Sequence, residues 1–253
     1  MAHPAPRPEP EPPSGPPPSG AAADAGTVRW QPLPAGEKAQ QDPACFRCSS
    51  ALSQPLVCDG CGLLQPLTRA IDPFALFSLA PAAELDLEQL RRRLTSLSRR
   101  VHPDFYANAS AEERERAQAS AAELNGAFEL LCDETRRIEH LIARGGGPGA
   151  EQERQMPAAF LAEVLEWNES LDAARQGDPK ALAGLESLSA ELRGRLAAER
   201  TALRRLLTPL PEPGSPKYRE ARKLLNAVRY LERAAAECAE RRLDRANRPT
   251  PQA

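Results

Sequence analysis

The 253-residue chain is poor in aromatic residues and in lysine, and it has no long apolar run. Aromatic residues make up 4% of the sequence, which is low for a protein built on β-sheets. The net charge is −2, so a general polyanion binder such as a nucleic-acid protein is disfavoured. Lysine supplies only four of the 33 basic residues, which indicates genome composition more than function. No apolar run approaches the roughly 18 residues that a membrane span needs. These absences favour an all-α protein that does not enter a membrane.

The N-terminal region lacks the features of a targeting sequence. It has no charged start followed by an apolar core, and it is proline-dense and partly acidic where a transit peptide is amphipathic. A cytoplasmic protein is therefore expected. Residues 1–43 hold 12 of the 26 prolines, a composition that predicts a disordered tail.

Residues that carry catalysis are scarce as well. The three histidines are His3, in the proline-rich tail, His102, and His140, on a predicted helix, so they do not build a Ser/His/Asp set. The chain has no GxxxxGK[ST] phosphate-binding motif. The sequence predicts a protein that is not an enzyme.

Four of the six cysteines lie in residues 44–68 and form two CxxC pairs with nine residues between them. The pairs are Cys45 with Cys48 and Cys58 with Cys61. Four thiolates of this spacing suit a structural zinc ion with no open position for catalysis. Two disulfides are the alternative, which a cytoplasmic setting disfavours, and an iron–sulfur cluster is a third interpretation. The remaining cysteines, Cys132 and Cys238, lie on apolar helical faces and are expected in the core.

The tripeptide His102-Pro103-Asp104 separates two predicted helices. In the helix before it, one face is apolar and much of the rest is arginine. The apolar face holds Leu87, Leu90, Leu94, Leu97 and Val101, and the arginines are Arg91, Arg92, Arg93, Arg99 and Arg100. After it, Ser110 and Glu113 form a capping box that starts a helix ending near Cys132. Because proline cannot continue the first helix, the tripeptide is predicted to lie in a loop with its polar side chains facing out.

Residues 155–246 are predicted to form an antiparallel bundle of three helices. The first carries one apolar stripe, made of Phe160, Leu161, Val164, Leu165 and Leu171. The second and third begin at Asp178-Pro179 and Ser215-Pro216, where a capping residue precedes a proline. The run Arg144-Gly145-Gly146-Gly147-Pro148-Gly149 before the bundle is predicted to end a helix and to act as a linker.

Residues 71–144 resemble a J-domain, the module by which co-chaperones engage DnaK-type ATPases. The resemblance rests on Asp72-Pro73-Phe74-Ala75-Leu76-Phe77, on the basic helix with its tripeptide, and on Leu124-Asn125-Gly126-Ala127-Phe128-Glu129-Leu130-Leu131. It implies that the chaperone-binding residues are His102, Pro103, Asp104, Arg92, Arg93, Arg99 and Arg100. Phe105 stands where most J-domains have a lysine.

The C-terminal region resembles the client-binding domain of HscB-type co-chaperones. The matching stretches are Met156–Leu171 and Leu224–Leu231, and the four-cysteine knuckle is similar to that of the mitochondrial members. The resemblance, over about 44–246, implies a co-chaperone of iron–sulfur cluster assembly. Its bundle would hold an IscU-type scaffold protein while its J-domain stimulates a DnaK-type (HscA-type) ATPase. The scaffold-binding residues implied are Leu161, Leu165, Glu166, Glu169 and Tyr230.

Two positions depart from the enterobacterial pattern: Ala162 replaces a large apolar residue and Ala173 an acidic one, so a smaller patch is expected. The expected organisation is a tail at 1–43, a zinc knuckle at 44–68, a J-domain at 71–144 and a scaffold-binding bundle at 155–246. A generic J-domain adaptor with another client is the alternative function. A zinc-ribbon protein that binds nucleic acid is a further one, which the net charge disfavours. From periodicity alone, Leu161 and Leu165 fit ordinary core positions, and Glu166 and Glu169 fit a solvated face.

Overall fold

The computed structural model describes residues 44–67 and 71–247, and the expected tail at 1–43 lies outside them. The described part of the chain is helical, and its only β-pairing is two isolated antiparallel bridges, Ala44 with Ala51 and Val57 with Leu64. The all-α prediction is confirmed. The α-helices are α1 (Pro73–Leu76), α2 (Leu87–Val101), α3 (Ala111–Cys132), α4 (Glu134–Arg144), α5 (Ala158–Arg175), α6 (Pro179–Leu206) and α7 (Lys217–Asn247). A 3₁₀ turn, Pro103–Tyr106, lies between α2 and α3.

Helix starts follow the capping residues of the sequence. The Asp72 carboxylate accepts the Phe74 N–H at 2.9 Å, and the Asp178 carboxylate accepts the Ala181 N–H at 2.7 Å. The predicted capping box at the start of α3 is present in both directions between Ser110 and Glu113. Each cap satisfies backbone donors that the first helical turn leaves without a partner, so these starts are fixed locally.

One continuous core joins the four-cysteine segment, the J-domain helices and one side of the bundle. It contains Leu56, Val57 and Leu64 from the segment, Phe74, Leu76, Phe77, Leu90, Val101, Leu124, Leu131, Ile138 and Leu141 from α1 to α4 and the residues beside them, and Leu203, Tyr218, Leu225 and Val228 from α6 and α7. A segment of about 24 residues has too little apolar surface to fold by itself, and here it borrows the core of its neighbour.

A second core fills the three-helix bundle, and it corrects the predicted stripe of α5. The buried face of α5 consists of Phe160, Val164, Trp167 and Leu171. Leu161 and Leu165 lie outside it, with 47% and 66% of their surface exposed. Successive residues of an α-helix are about 100° apart, so a residue next to a core position turns towards the edge of the bundle. Apolar character alone did not separate these two sets.

The glycine-rich run after α4 is packed as well as helix-ending. α4 ends at Arg144, as predicted. A methyl group on Gly145 would overlap the ring of Tyr218 on α7, and the Gly145 carbonyl accepts the Gly214 N–H at 2.7 Å. Arg222 of α7, which is 1% exposed, donates to the Pro148 carbonyl at 2.9 Å. The run is therefore closely packed at the interface between the J-domain and the bundle. Among the described helices, none is long and apolar enough to cross a membrane.

Candidate functional site

The four cysteines of the two CxxC pairs come together at one point. The Sγ atoms of Cys45 and Cys61 are 3.7 Å apart, those of Cys48 and Cys58 are 3.6 Å apart, and all four lie within 4.8 Å of one another. A tetrahedral zinc site with Zn–S bonds of about 2.3 Å has S–S edges of about 3.8 Å, whereas a disulfide bond is about 2.05 Å long. The arrangement fits a metal ion bound by four thiolates.

Two similar turns shape this cluster. The Ser49 N–H donates to the Cys45 carbonyl, and the Gly62 N–H donates to the Cys58 carbonyl, each at 2.9 Å. Ser49 and Gly62 adopt positive φ values of 58° and 70°, so both turns close through the left-handed region. The Gly60 N–H also points at the Cys58 Sγ at 3.3 Å, which places a donor on one of the four candidate ligand atoms.

The surroundings of the cluster favour ionisation of some of the four thiols, but they oppose ionisation of all four when no cation is bound. Burial opposes ionisation of Cys45, but backbone N–H groups of Cys48 and Arg47 and the neighbouring thiols hold the pKa of Cys45 at about 6. At Cys61 the Leu63 N–H favours the thiolate, yet burial and the three other cysteines raise its pKa to about 11. Thiolates this close repel one another, and a divalent cation removes that repulsion.

Gln65 joins the two CxxC turns, and sequence analysis did not single it out. Its side chain is buried; its Nε2 donates to the Cys45 Sγ at 3.4 Å and to the Leu63 carbonyl at 2.9 Å, and its Oε1 accepts the Phe46 N–H at 3.3 Å. Donors around the ligands orient them and tune the metal. The only sign in the sequence is a polar residue in the otherwise apolar stretch Leu63–Leu67.

The His102-Pro103-Asp104 turn is presented to solvent as predicted. α2 ends at Val101, His102 is extended, and its Nδ1 accepts the Asp104 N–H at 3.3 Å. Tyr106 donates its hydroxyl to the Arg100 carbonyl at 3.1 Å, which ties the turn to the end of α2. The side chains of His102 and Asp104 are largely exposed. This geometry offers a fixed polar surface for a partner protein.

The four predicted chaperone-binding arginines differ in their surroundings. Arg93 donates to the carbonyls of Phe77 and Ser78, and Arg100 forms an ion pair with Asp59 at 2.8 Å. Arg92 lies 3.9 Å from Asp86 and 3.8 Å from Glu88 in loose ion pairs on the exposed surface. Arg99 is exposed and has no ion pair with any residue that the structure describes. Arg99 and Arg92 therefore face solvent, whereas Arg93 and Arg100 are held by close contacts with the neighbouring loop and the four-cysteine segment.

Of the five predicted scaffold-binding residues, four lie on the exposed side of α5, and Tyr230 lies on α7. Leu161 and Leu165 are exposed, and the helical repeat places them on the same side of α5 as Asn168, which contacts Tyr230. The Tyr230 hydroxyl donates to Asn168 at 2.8 Å, and its ring packs on Phe160 and Trp167, with centroids 5.8 and 6.5 Å away. Glu166 and Glu169 are exposed on α5 and form no ion pair within the described ranges.

Known proteins share this fold and sequence. A family model described as the HSCB C-terminal oligomerisation domain matches residues 156–239. The co-chaperone protein HscB homolog of Shewanella sp. (strain ANA-3) is 36% identical over 144 residues, which are 56% of this chain and 79% of that relative. This chain belongs to the HscB family. The Bordetella pertussis HscB homolog is 41% identical over 119 residues, 47% of this chain and 69% of that relative.

Solved HscB structures have the same architecture. The crystal structure of human co-chaperone protein HscB superposes with a TM-score of 0.64 at 21% identity, over 80% of this chain and all of that one. Chaperone HscB from Vibrio cholerae gives a TM-score of 0.56 at 25% identity, over 70% of this chain and 99% of that one. The predicted family is therefore confirmed, and membership in it supports a co-chaperone role.

Proposed function

We propose that this protein is a co-chaperone of iron–sulfur cluster assembly. Its J-domain stimulates the ATPase of a DnaK-type chaperone of the HscA type, and its bundle delivers an IscU-type scaffold to that chaperone. The observation that carries the proposal is the exposure of Leu161 and Leu165 next to Tyr230. The core of the bundle is complete without these two leucines, and apolar side chains that are exposed close together indicate a protein-binding surface.

The bundle and the J-domain have separate tasks. Leu161, Leu165 and Tyr230 form the apolar centre of the scaffold surface, and Glu166 and Glu169 form its acidic rim. On the J-domain, the turn from His102 to Asp104, together with Arg99 and Arg92, docks onto the chaperone. The co-chaperone accelerates ATP hydrolysis only if it binds the hydrolysis-competent state of the chaperone more tightly than the resting state.

Zinc is the metal that best suits the four-cysteine cluster. Cys45, Cys48, Cys58 and Cys61 would hold it with a closed set of four thiolates, and Gln65 would orient the Cys45 ligand. The ion would hold the segment in its folded shape and perform no chemistry on a substrate. The folded segment then keeps Leu56, Val57 and Leu64 packed in the J-domain core, which stabilises that core.

Scaffold binding measured by calorimetry tests the proposal. Leu165→Ala removes an exposed anchor without opening the core, and together with Tyr230→Ala it should weaken binding of an IscU-type scaffold about tenfold or more. Leu243→Ala, which truncates an exposed leucine near the end of α7, is the matched control and should bind normally. Stimulation of the chaperone ATPase in the absence of scaffold should be unchanged in all three.

Thermal unfolding distinguishes binding from packing. Tyr230 contacts Phe160 and Trp167, so its truncation costs some stability, whereas Leu165→Ala should cost little. If a folded double variant binds scaffold as wild type does, the scaffold assignment is wrong and the generic adaptor with another client replaces it. The small residues Ala162 and Ala173 limit the area of this surface, so a modest scaffold affinity is expected.

A further inference from the structure

An open cleft of about 480 Å³ lies beside the scaffold surface, between the segment that precedes α5 and the outer side of α7. Three of its lining side chains are arginines: Arg154 from the segment, and Arg229 and Arg233 from α7. Tyr230 also lines it, so the cleft is continuous with the apolar centre formed by Leu161, Leu165 and Tyr230. No sequence pattern indicated this site, because its arginines come from two separate stretches.

The ion pairs around the cleft leave a net positive charge. Arg229 and the buried Arg222 share one carboxylate, that of Glu139, so one guanidinium charge remains in excess. Arg233 is exposed and forms no ion pair within the part of the chain that the structure describes; its Nε donates to the Arg229 carbonyl at 3.3 Å.

The other charged groups of the cleft are balanced. Arg154 pairs with Glu151, and the one acidic side chain of the lining, Glu232, pairs with Arg200 at 2.8 Å. Arg233, and Arg229 because it shares its only carboxylate with the buried Arg222, are therefore the cleft residues whose positive charge is available to an anion.

The scaffold surface thus carries opposite charges on its two flanks. Asn168 of α5 faces α7, because it accepts the Tyr230 hydroxyl, and Glu163 faces α6, because it pairs with Arg195 at 3.0 Å. With about 100° between successive helical residues, Leu161 and Leu165 follow Asn168 around α5, and Glu169 and Glu166 come next, towards α6. The order across the surface is basic cleft, apolar centre, acidic rim.

We propose that this cleft binds an acidic segment of the scaffold protein and thereby fixes the orientation in which the scaffold is held. The inference rests on the proposed function and adds to it the charge pattern of the partner. A scaffold with a basic patch opposite Glu166 and Glu169 and carboxylates opposite Arg233 fits in one direction only. Reversed docking would place like charges together, which opposes binding.

A charge-reversal variant tests the inference with full-length protein and a purified IscU-type scaffold. Arg233→Glu should weaken scaffold binding about fivefold or more at low salt, mainly through a slower association rate. The difference should shrink at 0.5 M salt, because screening suppresses interactions of exposed charges. Arg233→Lys keeps the charge and should bind nearly as wild type does.

Arg219→Glu is the matched control. It makes the same charge change at an exposed position of the same helix, 14 residues and roughly 21 Å from Arg233. If Arg233→Glu and Arg219→Glu bind scaffold equally well while Leu165→Ala weakens binding, the cleft inference is overturned and the proposed function stands. If Leu165→Ala has no effect either, the proposed function fails.

A small free anion is the alternative ligand of the cleft, and inorganic phosphate tests for it. Titration of wild-type protein with phosphate at millimolar concentration, followed by thermal unfolding, should give the same small shift for wild type and Arg233→Glu. A stabilisation that is specific to the wild type and competes with scaffold would overturn the assignment of the cleft to an acidic protein segment.

Discussion

The carboxylate of Asp59 lies 2.8 Å from the guanidinium of Arg100, and this ion pair joins the four-cysteine segment to the last turn of α2. A second contact runs to α3, where the Arg116 guanidinium lies 5.3 Å from the centroid of the Phe46 ring. Asp59 follows Cys58 of the four-cysteine cluster, and Arg100 is two residues before His102. The cluster is therefore linked directly to the two helices that flank the His102-Pro103-Asp104 turn.

The Asp59–Arg100 pair should contribute little to global stability. Both side chains are partly exposed, 47% for Asp59 and 34% for Arg100, and exposed pairs contribute about 0.2–1 kcal/mol. A double-mutant cycle with Asp59→Asn and Arg100→Gln, followed by urea unfolding, should give a coupling energy in that range that falls as salt is added. A coupling above about 2 kcal/mol would show that the pair is better shielded than its exposure indicates.

Metal removal should destabilise the J-domain as well as the four-cysteine segment. Leu56, Val57 and Leu64 are buried in the J-domain core, and the segment that positions them is too small to hold its shape alone. Elemental analysis should find one zinc per chain in wild type. Cys58→Ser should lose the metal and lower the Tm by several degrees, while helical content is largely kept.

Cys132→Ser is the control for that loss. Cys132 is a partly buried cysteine outside the cluster, so the variant should keep its zinc. Stoichiometric iron with visible absorption would contradict the choice of metal. An unchanged Tm in metal-free protein would contradict the coupling through the shared core.

Local signals in the sequence predicted the helices well, because most helix starts carry their own cap; α5 is the exception, since it follows Pro157 and has no side-chain cap. Asp72, Ser110 and Asp178 satisfy backbone donors within three residues of themselves. The helical repeat did not show which apolar residues of α5 the bundle would cover. Leu161, Val164 and Leu165 all lie on its wide apolar face, and only the packing of the neighbouring helices buries Val164 and leaves the two leucines exposed. Contacts between distant parts of the chain, such as Asp59 with Arg100 and Gly145 with Tyr218, leave no local pattern.

The same limit applies to the candidate sites. The spacing of two CxxC pairs was enough to predict which four cysteines come together, because a tetrahedral metal ion needs four such ligands. It gives no sign that Gln65 crosses between the pairs, because this depends on how the two turns pack. The arginines of α2 look equivalent in sequence, and only the positions of Phe77 and Asp59 show that Arg93 and Arg100 are held by distant parts of the chain.

The stability of the J-domain should fall in acid through Asp72. Burial opposes ionisation of this carboxyl, but hydrogen bonding to His140 and the charges of His140 and Arg144 hold its pKa below the ordinary value. A carboxyl with a lowered pKa stabilises the fold above its unfolded pKa of about 3.9, and that contribution is lost as the pH falls through the folded value. Asp72→Asn should therefore cost roughly 1–3 kcal/mol at pH 7, with the difference from wild type shrinking below about pH 4.

Urea unfolding at a series of pH values measures this difference. Asp86→Asn is the matched control, because Asp86 also caps a helix by accepting the Glu88 and Gln89 N–H groups but is mostly exposed. Its cost should be smaller and should depend less on pH. Equal pH profiles for the two variants would mean that the contacts with His140 and Arg144 do not stabilise the ionised form.

His102→Gln should abolish stimulation of the chaperone ATPase. The His102 ring is largely exposed and contacts only its own turn, through the backbone and carboxylate of Asp104 and the ring of Phe105, so the substitution changes the presented surface more than the fold. Circular dichroism, Tm and scaffold binding should match wild type. Normal stimulation by the folded variant would show that the tripeptide is not the chaperone contact.

Arg99→Glu and Arg93→Gln change arginines of the same helix but should affect different properties, the first ATPase stimulation and the second stability. Arg99 is exposed and has no ion pair among the described residues, so its reversal should raise the concentration needed for half-maximal ATPase stimulation, most strongly at low salt. The guanidinium of Arg93 instead donates to the Phe77 and Ser78 carbonyls, and its loss leaves these acceptors without that donor. Arg93→Gln should therefore lower the free energy of unfolding by about 1–3 kcal/mol, with a near-normal ATPase response at temperatures where it is folded.

Titrations of the chaperone ATPase at two salt concentrations, together with urea unfolding of both variants, separate the two roles. A folded, fully stable Arg93→Gln that loses stimulation would place Arg93 in the chaperone interface, and a salt-independent defect in Arg99→Glu would mean that Arg99 does not act through its charge.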